Sequence, residues 1–448
     1  MAEKLMTFHK NSPKFFIKTY GCQMNEYDSE ILAGLLKESR YELTARPEEA
    51  DLILLNTCYV REKVKHKIYS KLGELKKLKE KNPNLILGVC GCLAQKEPRE
   101  TLHQAPYLDF ILGTFGFSQL PRVLEKIGEN HSKIIRVEEK EAVPEGLPKQ
   151  RQSRFTAYVP VIRGCSNFCS YCNVPYVRGP ERSRLPDDIL KEVEELSWQG
   201  CKEVTLLGQN VNSYGKDLSG NQDFAELLTQ INRVKGIQRI RFTTSHPKDL
   251  SDKLIDRIAH LDKVCEHLHL PLQSGSNRIL SRMRRGYTRE EYQNRVRDLR
   301  EAVPGVSLTT DIIVGFPGES EADFQETLDA VKRIGFDGAF TFCYSRLPGT
   351  EAARLEDQVP EEIKKERLRM LIDLQQKITL EKNSRLVGGE FEVLVEGFSE
   401  KSYHQLQGRA RSNKIVVFEA PKELIGNFVR VRILEAGCWA LRGKTLPC

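Results

Sequence analysis

Three cysteines, Cys165, Cys169 and Cys172, lie within VIRGCSNFCSYCNVPY (Val161 to Tyr176) at the spacing C-x3-C-x2-C. Thiolates so close together on one short loop can converge on a single metal centre, and thiolates are the usual holders of iron–sulfur clusters. Three of them leave one iron of a four-iron cluster without a protein ligand, open to a substrate or cofactor. A structural zinc ion is the competing reading, but zinc wants a fourth ligand, and no His or Cys follows within the next few residues. Unrelated buried thiols are a third reading, against which the tight spacing argues.

A centre of this kind needs a scaffold, and the hydrophobic patterning supplies one. Between Lys14 and Arg136 short apolar runs (FFIKTYGC, DLILLNTC, NLILGVCGC, DFILGT) alternate with amphipathic segments, one of them from Asp28 to Ser39. Strand, helix, strand in that rhythm reads as an open, mostly parallel sheet, whose ligands bind beyond the carboxyl ends of the strands. Cys22, Cys58 and Cys92 each end one of the runs. Three strand-to-helix turns would thus present thiols to one crevice, a geometry that suits a second three-ligand cluster. Taken singly, each is as well explained as a core cysteine; the shared position favours ligands. Cys90 is a rival for the third place. Cys92 is preferred because Gly91 puts it at the turn, with Cys90 expected on the same side but deeper.

Residues 137–155 read as a charged, Pro-containing linker. From Thr156 to about Leu347 a strand-plus-helix unit recurs six times, with strands AYVPVIRG, EVTLLGQN, IRFTTS, HLHLPLQ, LTTDIIVGF and GAFTFCYS. That is a partial (β/α)6 barrel, with active groups expected at the carboxyl ends of its strands. Gly208, Gln209 and Asn210 end the second strand, Ser245 and His246 the third, Gln273 and Ser274 the fourth, while Asp311 and Ile313 lie in the fifth. Ordinary loop chemistry explains Ser, Asn and Gly there equally well, and His246 reads as a satisfied loop histidine rather than a base. A helical stretch from Pro360 to Arg385 leads into short alternating strands broken by Gly and Asn, a small antiparallel β-barrel of OB-like type. The expected fold is α/β: an open parallel domain at 14–136, the linker 137–155, the partial barrel at 156–384 and the small β-barrel at 385–448.

Lys and Arg number 69 against 62 Asp and Glu, a net charge of +7, but the basic residues are clustered. Nine Lys/Arg face three Glu from Arg61 to Lys81, and eight Arg face three acids from Arg278 to Arg300. Each alone reads as a solvated helix face; together they favour a polyanionic partner. Arg409, Arg411 and Lys414 flank the central turn of the small β-barrel. The stretch MAEKLMTFHKNSPK lacks an apolar signal core, and no apolar run approaches the about 20 residues that span a bilayer. A reducing cytoplasm is therefore expected, with no membrane contact and with clustered cysteines as ligands rather than disulfides. Cys201, Cys265, Cys343, Cys438 and Cys448 read as core or surface thiols.

The Cys165–Cys172 loop resembles the signature of radical S-adenosylmethionine (SAM) enzymes, and the whole chain is similar to the methylthiotransferases among them. TYGCQMNEYDSE (Thr19 to Glu30), NTCYVREK (Asn56 to Lys63), VPYVRGPERSR (Val174 to Arg184) and LQGRARSNKIVVFE carry the resemblance. Gly-Cys-Gln-Met-Asn stands where the ribosomal-protein branch has GCPKN and the threonylcarbamoyladenosine branch GCKVN; Cys90 stands where an apolar residue is commoner. The resemblance implies two 4Fe-4S clusters, held by Cys165, Cys169 and Cys172 and by Cys22, Cys58 and Cys92 as the catalytic residues, with a TRAM domain at the carboxyl end. It implies SAM contacts from Tyr171, Gly208, Gln209, Asn210, Ser245, Gln273, Ser274, Asp311 and Ile313. The activity implied is methylthiolation of carbon 2 of N6-isopentenyladenosine beside the anticodon. One SAM gives its methyl group to sulfur on the second cluster and another gives the radical. The partners implied are the tRNA anticodon stem-loop, touched by Arg178, Arg184, Arg282, Arg284, Arg285, Arg409 and Arg411, and a flavodoxin-type electron donor, the enzyme acting as a monomer. Methylthiolation of a ribosomal protein or of threonylcarbamoyladenosine, and a cluster-bearing RNA-binding protein without turnover, are the alternatives.

Overall fold

The computed structural model describes residues 12–59, 61–130, 132–137, 145–400 and 402–446. Residues 1–11 of the amino-terminal stretch, 138–144 of the expected linker and Cys448 lie outside the described residues. Two compact units form, one within 1–152 and 173–180, the other within 153–172 and 181–448. Among the described residues no helix is long and apolar enough to cross a membrane, and none of the eleven described cysteines is in a disulfide.

The first unit is built on strands β1 (Lys14–Thr19), β2 (Glu42–Leu43), β3 (Leu52–Thr57), β4 (Ile86–Gly91), β5 (Phe110–Leu112) and β6 (Ile134–Arg136). They form one sheet in the order β2-β1-β3-β4-β5-β6, and every pairing is parallel. All six residues of β3, LILLNT, are buried, as a central parallel strand covered on both faces requires. Its side chains alternate between two core layers: Ile53 and Leu55 pack with Ile68, Leu72 and Val89, Leu52 and Leu54 with Leu32, Leu36 and Phe117. The helix expected from Asp28 runs from Gln23 to Glu38, so that Cys22 is its N-cap.

In the second unit the barrel strands are β7 (Thr156–Pro160), β10 (Glu203–Leu207), β11 (Arg239–Phe242), β12 (His267–His269), β13 (Ser307–Val314) and β14 (Gly338–Cys343); β8 (Ile162–Arg163) and β9 (Arg182–Ser183) pair as a short antiparallel ribbon. The wall is two parallel sheets, β11-β10-β7 and β12-β13-β14, joined by an Ile240–Val264 bridge. Leu268, Leu308, Ile312 and Val314 turn outward beneath helices carrying Tyr292, Val296, Phe324 and Val331. His267, His269, Thr309 and Asp311 are left on the inner face, as alternation demands.

Strands β15 (Glu390–Ser399), β16 (Ser402–Ala410), β17 (Ile415–Glu419), β18 (Phe428–Ala436) and β19 (Leu441–Thr445) close a barrel in the order β15-β16-β17-β19-β18. It belongs to the same unit as the larger barrel, and the buried guanidiniums of Arg239 and Arg241 donate to the Arg409, Ala410 and Arg411 carbonyls at 2.8 to 2.9 Å. The turn expected to offer Arg409, Arg411 and Lys414 to RNA is therefore the docking edge. Arg411 grips Glu266 at 2.6 Å, Lys414 reaches Asp337 at 3.0 Å and Arg409 reaches Glu396 at 3.0 Å.

Candidate metal centres

Cys165, Cys169 and Cys172 lie on the loop that leaves β8. The Gly164 N–H donates to Gln209 Oε1 at 2.6 Å, and Asn167 Nδ2 to Cys165 Sγ at 3.4 Å. The Cys172 N–H donates to the Cys169 carbonyl at 3.0 Å. Ser170 ties the loop to the Arg278–Arg300 segment: its N–H donates to the Met283 carbonyl at 3.1 Å and its hydroxyl to the Arg282 carbonyl at 2.7 Å. Arg285, expected to bind RNA, is buried behind this loop instead. Its Nη1 lies 3.4 Å from Cys169 Sγ and its Nε donates to Tyr287 Oη at 3.1 Å. A cation held there favours thiolate and cluster sulfur alike. Tyr171 packs edge-on to Phe316, centroids 6.4 Å apart, in a small cluster with Ile313, Met283 and Tyr344.

The barrel residues expected to hold SAM divide into two groups. Asn210 Oδ1, Ser245 Oγ and Gln273 Oε1 are buried with no hydrogen-bond partner among the described residues, as is His246 Nε2. Buried polar atoms are almost always satisfied, so these four, all at carboxyl ends of strands, fit a polar ligand such as the amino acid and ribose of SAM. Gln273 holds φ +71°, a left-handed conformation uncommon for a residue that carries a side chain. Ser274 departs from expectation: fully buried, it accepts from the Ser276 N–H and meets Thr327 Oγ1, and so serves the turn rather than a cofactor. Gly208 is a close-packing position, where a Cβ would come within 2.4 Å of Ile162. Burial, and next Arg285, push the His246 imidazole down to about 2; its Nδ1 accepts from the Lys248 N–H at 3.3 Å, but with Nε2 unpartnered among the described residues it is not the satisfied loop histidine expected.

The other three cysteines sit along one edge of the first unit's sheet. Thr19 aligns with Asn56, and Asn56 with Cys90, across the adjacent strands β1, β3 and β4. Cys22, Cys58 and Cys92 lie two or three residues beyond that row, and neighbouring strands are about 4.8 Å apart. A buried polar network supports the turns. Asn25 Nδ2 donates to Asn56 Oδ1 at 3.3 Å, Asn56 Nδ2 to Ser29 Oγ at 2.9 Å, and Thr57 Oγ1 to the Cys90 carbonyl at 2.5 Å. Gly91 adopts φ +91°, and a Cβ there would lie 2.4 Å from the Thr57 carbonyl oxygen. That conformation breaks the strand alternation, so Cys90 and Cys92 do not share a side. Cys90 lies in the layer of Leu52 and Leu54, Cys92 in that of Ile53 and Val177, at the start of helix Cys92–Lys96.

Arg178, also expected to touch RNA, is 6% exposed and pairs at 2.7 Å with Asp28, which is 0% exposed. Burial pushes the Cys92 thiol up, and the charges of Arg178 beside it oppose that. Buried thiols next to a guanidinium suit metal ligation, because a metal centre deprotonates the thiol outright. Among the described residues no three His, Cys, Asp or Glu side chains gather tightly enough for a single metal ion; a four-iron cluster takes its ligands at separate corners. Of the remaining arginines, Arg184 pairs with Glu192, Arg282 with Asp357 and Arg284 with Glu351. Residue type alone hid the burial of Arg178 and Arg285. The signal for Arg178 was the polar stripe Asn25, Asp28 and Ser29 at helical spacing, which is fully buried.

Three family matches span the chain: residues 14–113 match an uncharacterized protein family, UPF0004, residues 159–331 the radical SAM superfamily and residues 384–446 the TRAM domain. The tRNA-2-methylthio-N(6)-dimethylallyladenosine synthase of Moorella thermoacetica is 54% identical, covering 96% of this chain and 98% of that one. The synthase of the same name from Carboxydothermus hydrogenoformans is 51% identical over 96% and 98%. Among solved structures, the radical S-adenosylmethionine methyltransferase TsrM from Kitasatospora setae, with cobalamin and a 4Fe-4S cluster bound, superposes with TM-score 0.57 over 76% of this chain and 74% of that one. At 15% identity the likeness is one of fold. By its domain matches and its full-length relatives, the chain belongs to the tRNA-2-methylthio-N(6)-dimethylallyladenosine synthase family of radical SAM methylthiotransferases.

Proposed function

We propose that the protein methylthiolates carbon 2 of N6-isopentenyladenosine beside the anticodon of tRNA. In this reading Cys165, Cys169 and Cys172 hold one 4Fe-4S cluster and Cys22, Cys58 and Cys92 a second. The target is an unactivated aromatic C–H, beyond the reach of an acid–base pair or an ordinary nucleophile; the bound clusters and SAM supply the radical and the sulfur that it needs. The protein's part is to hold and orient. Asn210, Ser245 and Gln273 offer their free acceptors and donors to the polar groups of SAM, Gln209 pins the start of the cysteine loop, and Arg285 places a positive charge against Cys169. Arg178, fixed by Asp28, does the same beside Cys92.

A loop nucleotide is already single-stranded, so unstacking it costs only a few kcal/mol. With Arg178 and Arg285 buried and Arg409 and Arg411 tied to carboxylates, phosphate contacts fall to exposed lysines such as Lys63, Lys67, Lys77 and Lys81 of helix Glu62–Lys81, with affinity that declines steeply with salt. A flavodoxin-type donor supplies the electron, and the enzyme acts as a monomer in the cytoplasm. The observation that carries the reading is a three-thiol loop at the same barrel end as four buried, unpartnered polar atoms. Incubation with isopentenylated tRNA, SAM and reductant, then nucleoside analysis by mass spectrometry, tests it: a methylthio adduct is expected. SAM cleavage without that adduct overturns the substrate, and an adduct on ribosomal protein instead establishes the alternative.

A further inference from the structure

The inner face of β12, β13 and β14 carries His269, Thr309, Phe340 and Phe342 beside Asp311 and Ile313, the two residues expected above to touch SAM. Register places His269 beside Thr309, Asp311 beside Phe340, and Ile313 beside Phe342. His269 meets Thr309 Oγ1 through Nδ1 at 3.1 Å and Asp311 Oδ2 through Nε2 at 3.5 Å. Its ring lies edge-on to Phe340, centroids 5.9 Å apart and planes at 70°. All six residues therefore share the face turned away from the helices. A closed barrel fills its inside with layers of apolar side chains. Here six strands leave the inside open, and Phe340 keeps 60% of its surface exposed, an aromatic ring facing solvent between a carboxylate and an imidazole.

The wall also leads to the cysteine loop. Ile313 packs in the cluster that contains Tyr171 and Phe316, and residues two apart on a strand are about 6.6 Å apart. A planar group lying on Phe340 would thus be one strand step below the level of that loop. Rings of this kind hold nucleobases by stacking, which tolerates any base; selectivity must come from the groups at the edge.

We propose that this wall seats the target base. The Phe340 ring stacks on the purine, Asp311, oriented by His269, accepts the N6–H, and Ile313 with Phe342 takes the branched apolar substituent on that nitrogen. The ligand class is an N6-alkylated adenine in a single-stranded RNA loop. The assignment rests on the function proposed above, and it moves Asp311 and Ile313 from SAM to the substrate.

Binding of two anticodon hairpins by the full-length, cluster-loaded protein, one with N6-isopentenyladenosine and one with adenosine, tests the seat by fluorescence anisotropy at fixed salt. The native protein is expected to prefer the alkylated hairpin by roughly tenfold. Because stacking tolerates any base, Phe340→Ala should weaken both hairpins alike by roughly tenfold, whereas Phe342→Ala should lose most of the preference, with SAM affinity unchanged in both variants. Phe340→Trp keeps a stacking face and should bind both hairpins as the native protein does. Should the alanine variants lose their fold, Phe340→Leu, apolar but unable to stack, and Phe342→Thr carry the same tests. Unchanged affinity in Phe340→Ala, an unchanged preference in Phe342→Ala, or lost SAM binding with hairpin binding intact overturns the seat. A native protein that prefers the alkylated hairpin yet forms no methylthio nucleoside would overturn the reaction and leave the seat standing. Product formation with hairpin binding unchanged in both variants would do the reverse.

Discussion

Cys165, Cys169 and Cys172 lie within eight consecutive positions of one loop, whereas Cys22, Cys58 and Cys92 come from three turns that only a sheet brings level. The loop needs local anchors: the β8–β9 ribbon beneath it and the bonds from Ser170 to Met283 and Arg282. The strand-end site needs the register of β1, β3 and β4, the Asn25–Asn56 network and the unusual backbone of Gly91. A site made by a loop can lose its ligands while its domain stays folded; one made by a register is coupled to the folding of its sheet.

Ligand removal should separate the two most sharply. With Cys165, Cys169 and Cys172 all changed to Ala, both 5′-deoxyadenosine release and the methylthio nucleoside should vanish, with melting temperature little changed. With Cys22, Cys58 and Cys92 changed to Ala, the nucleoside alone should vanish while SAM cleavage persists, and the melting transition should shift. Chromatography of the products with calorimetry reads both. Equal loss of SAM cleavage in the two triple variants would erase the distinction.

Each site also has one buried arginine, and these differ in partner. Arg178→Ala strands the fully buried Asp28 carboxylate, a loss of about 3–5 kcal/mol. Arg285→Ala leaves behind Cys169 Sγ, Tyr171 Oη, Tyr287 Oη and the Pro271 carbonyl but no carboxylate, at about 1–3 kcal/mol. Denaturant midpoints should therefore fall further for Arg178→Ala, and adding Asp28→Asn should restore part of the loss. An effect of the same order as that of Arg285→Ala is expected of Gly91→Ala. Its φ of +91° and the 2.4 Å approach to the Thr57 carbonyl imply a strain of about 1–3 kcal/mol, read as a lower iron content per chain before any loss of SAM cleavage.

These contrasts explain what the sequence made legible. The loop cysteines are visible because their geometry is local, and Cys22, Cys58 and Cys92 because the strand–helix rhythm announces where strands end. The opposite placement of Cys90 and Cys92 is invisible, since it turns on one backbone angle at Gly91. Arg178, Arg285 and Arg411 look like any surface cation until burial and carboxylate partners, Asp28 or Glu266, are known. The Phe340 wall left a faint trace, the alternation of His and Leu in HLHLPLQ, but only the helices sealing the opposite face reveal which side is inward.

The smallest effect is a pH dependence that the two units share for different reasons. Burial pushes both Glu30, in the first unit, and Glu319, in the second, from 4.5 up to about 7. A carboxyl whose folded value is raised stays protonated in the native state over a range where the unfolded chain has already ionised. Its contribution is thus fully present below 4.5, declines as pH rises, and is lost above about 7. Glu319 also accepts the Gly315 N–H at 2.7 Å and Arg367 Nη1 at 2.8 Å, bonds that strengthen on ionisation and offset the burial. Glu30→Gln should therefore flatten the stability profile between roughly pH 4.5 and 7 with little other change. Glu319→Gln should flatten it too, but at the cost of the ion pair to Arg367 and of the loop after β13. Urea midpoints at pH 5 and 7.5 measure both, and a native-like slope in Glu30→Gln would show that its carboxyl is ionised throughout the range.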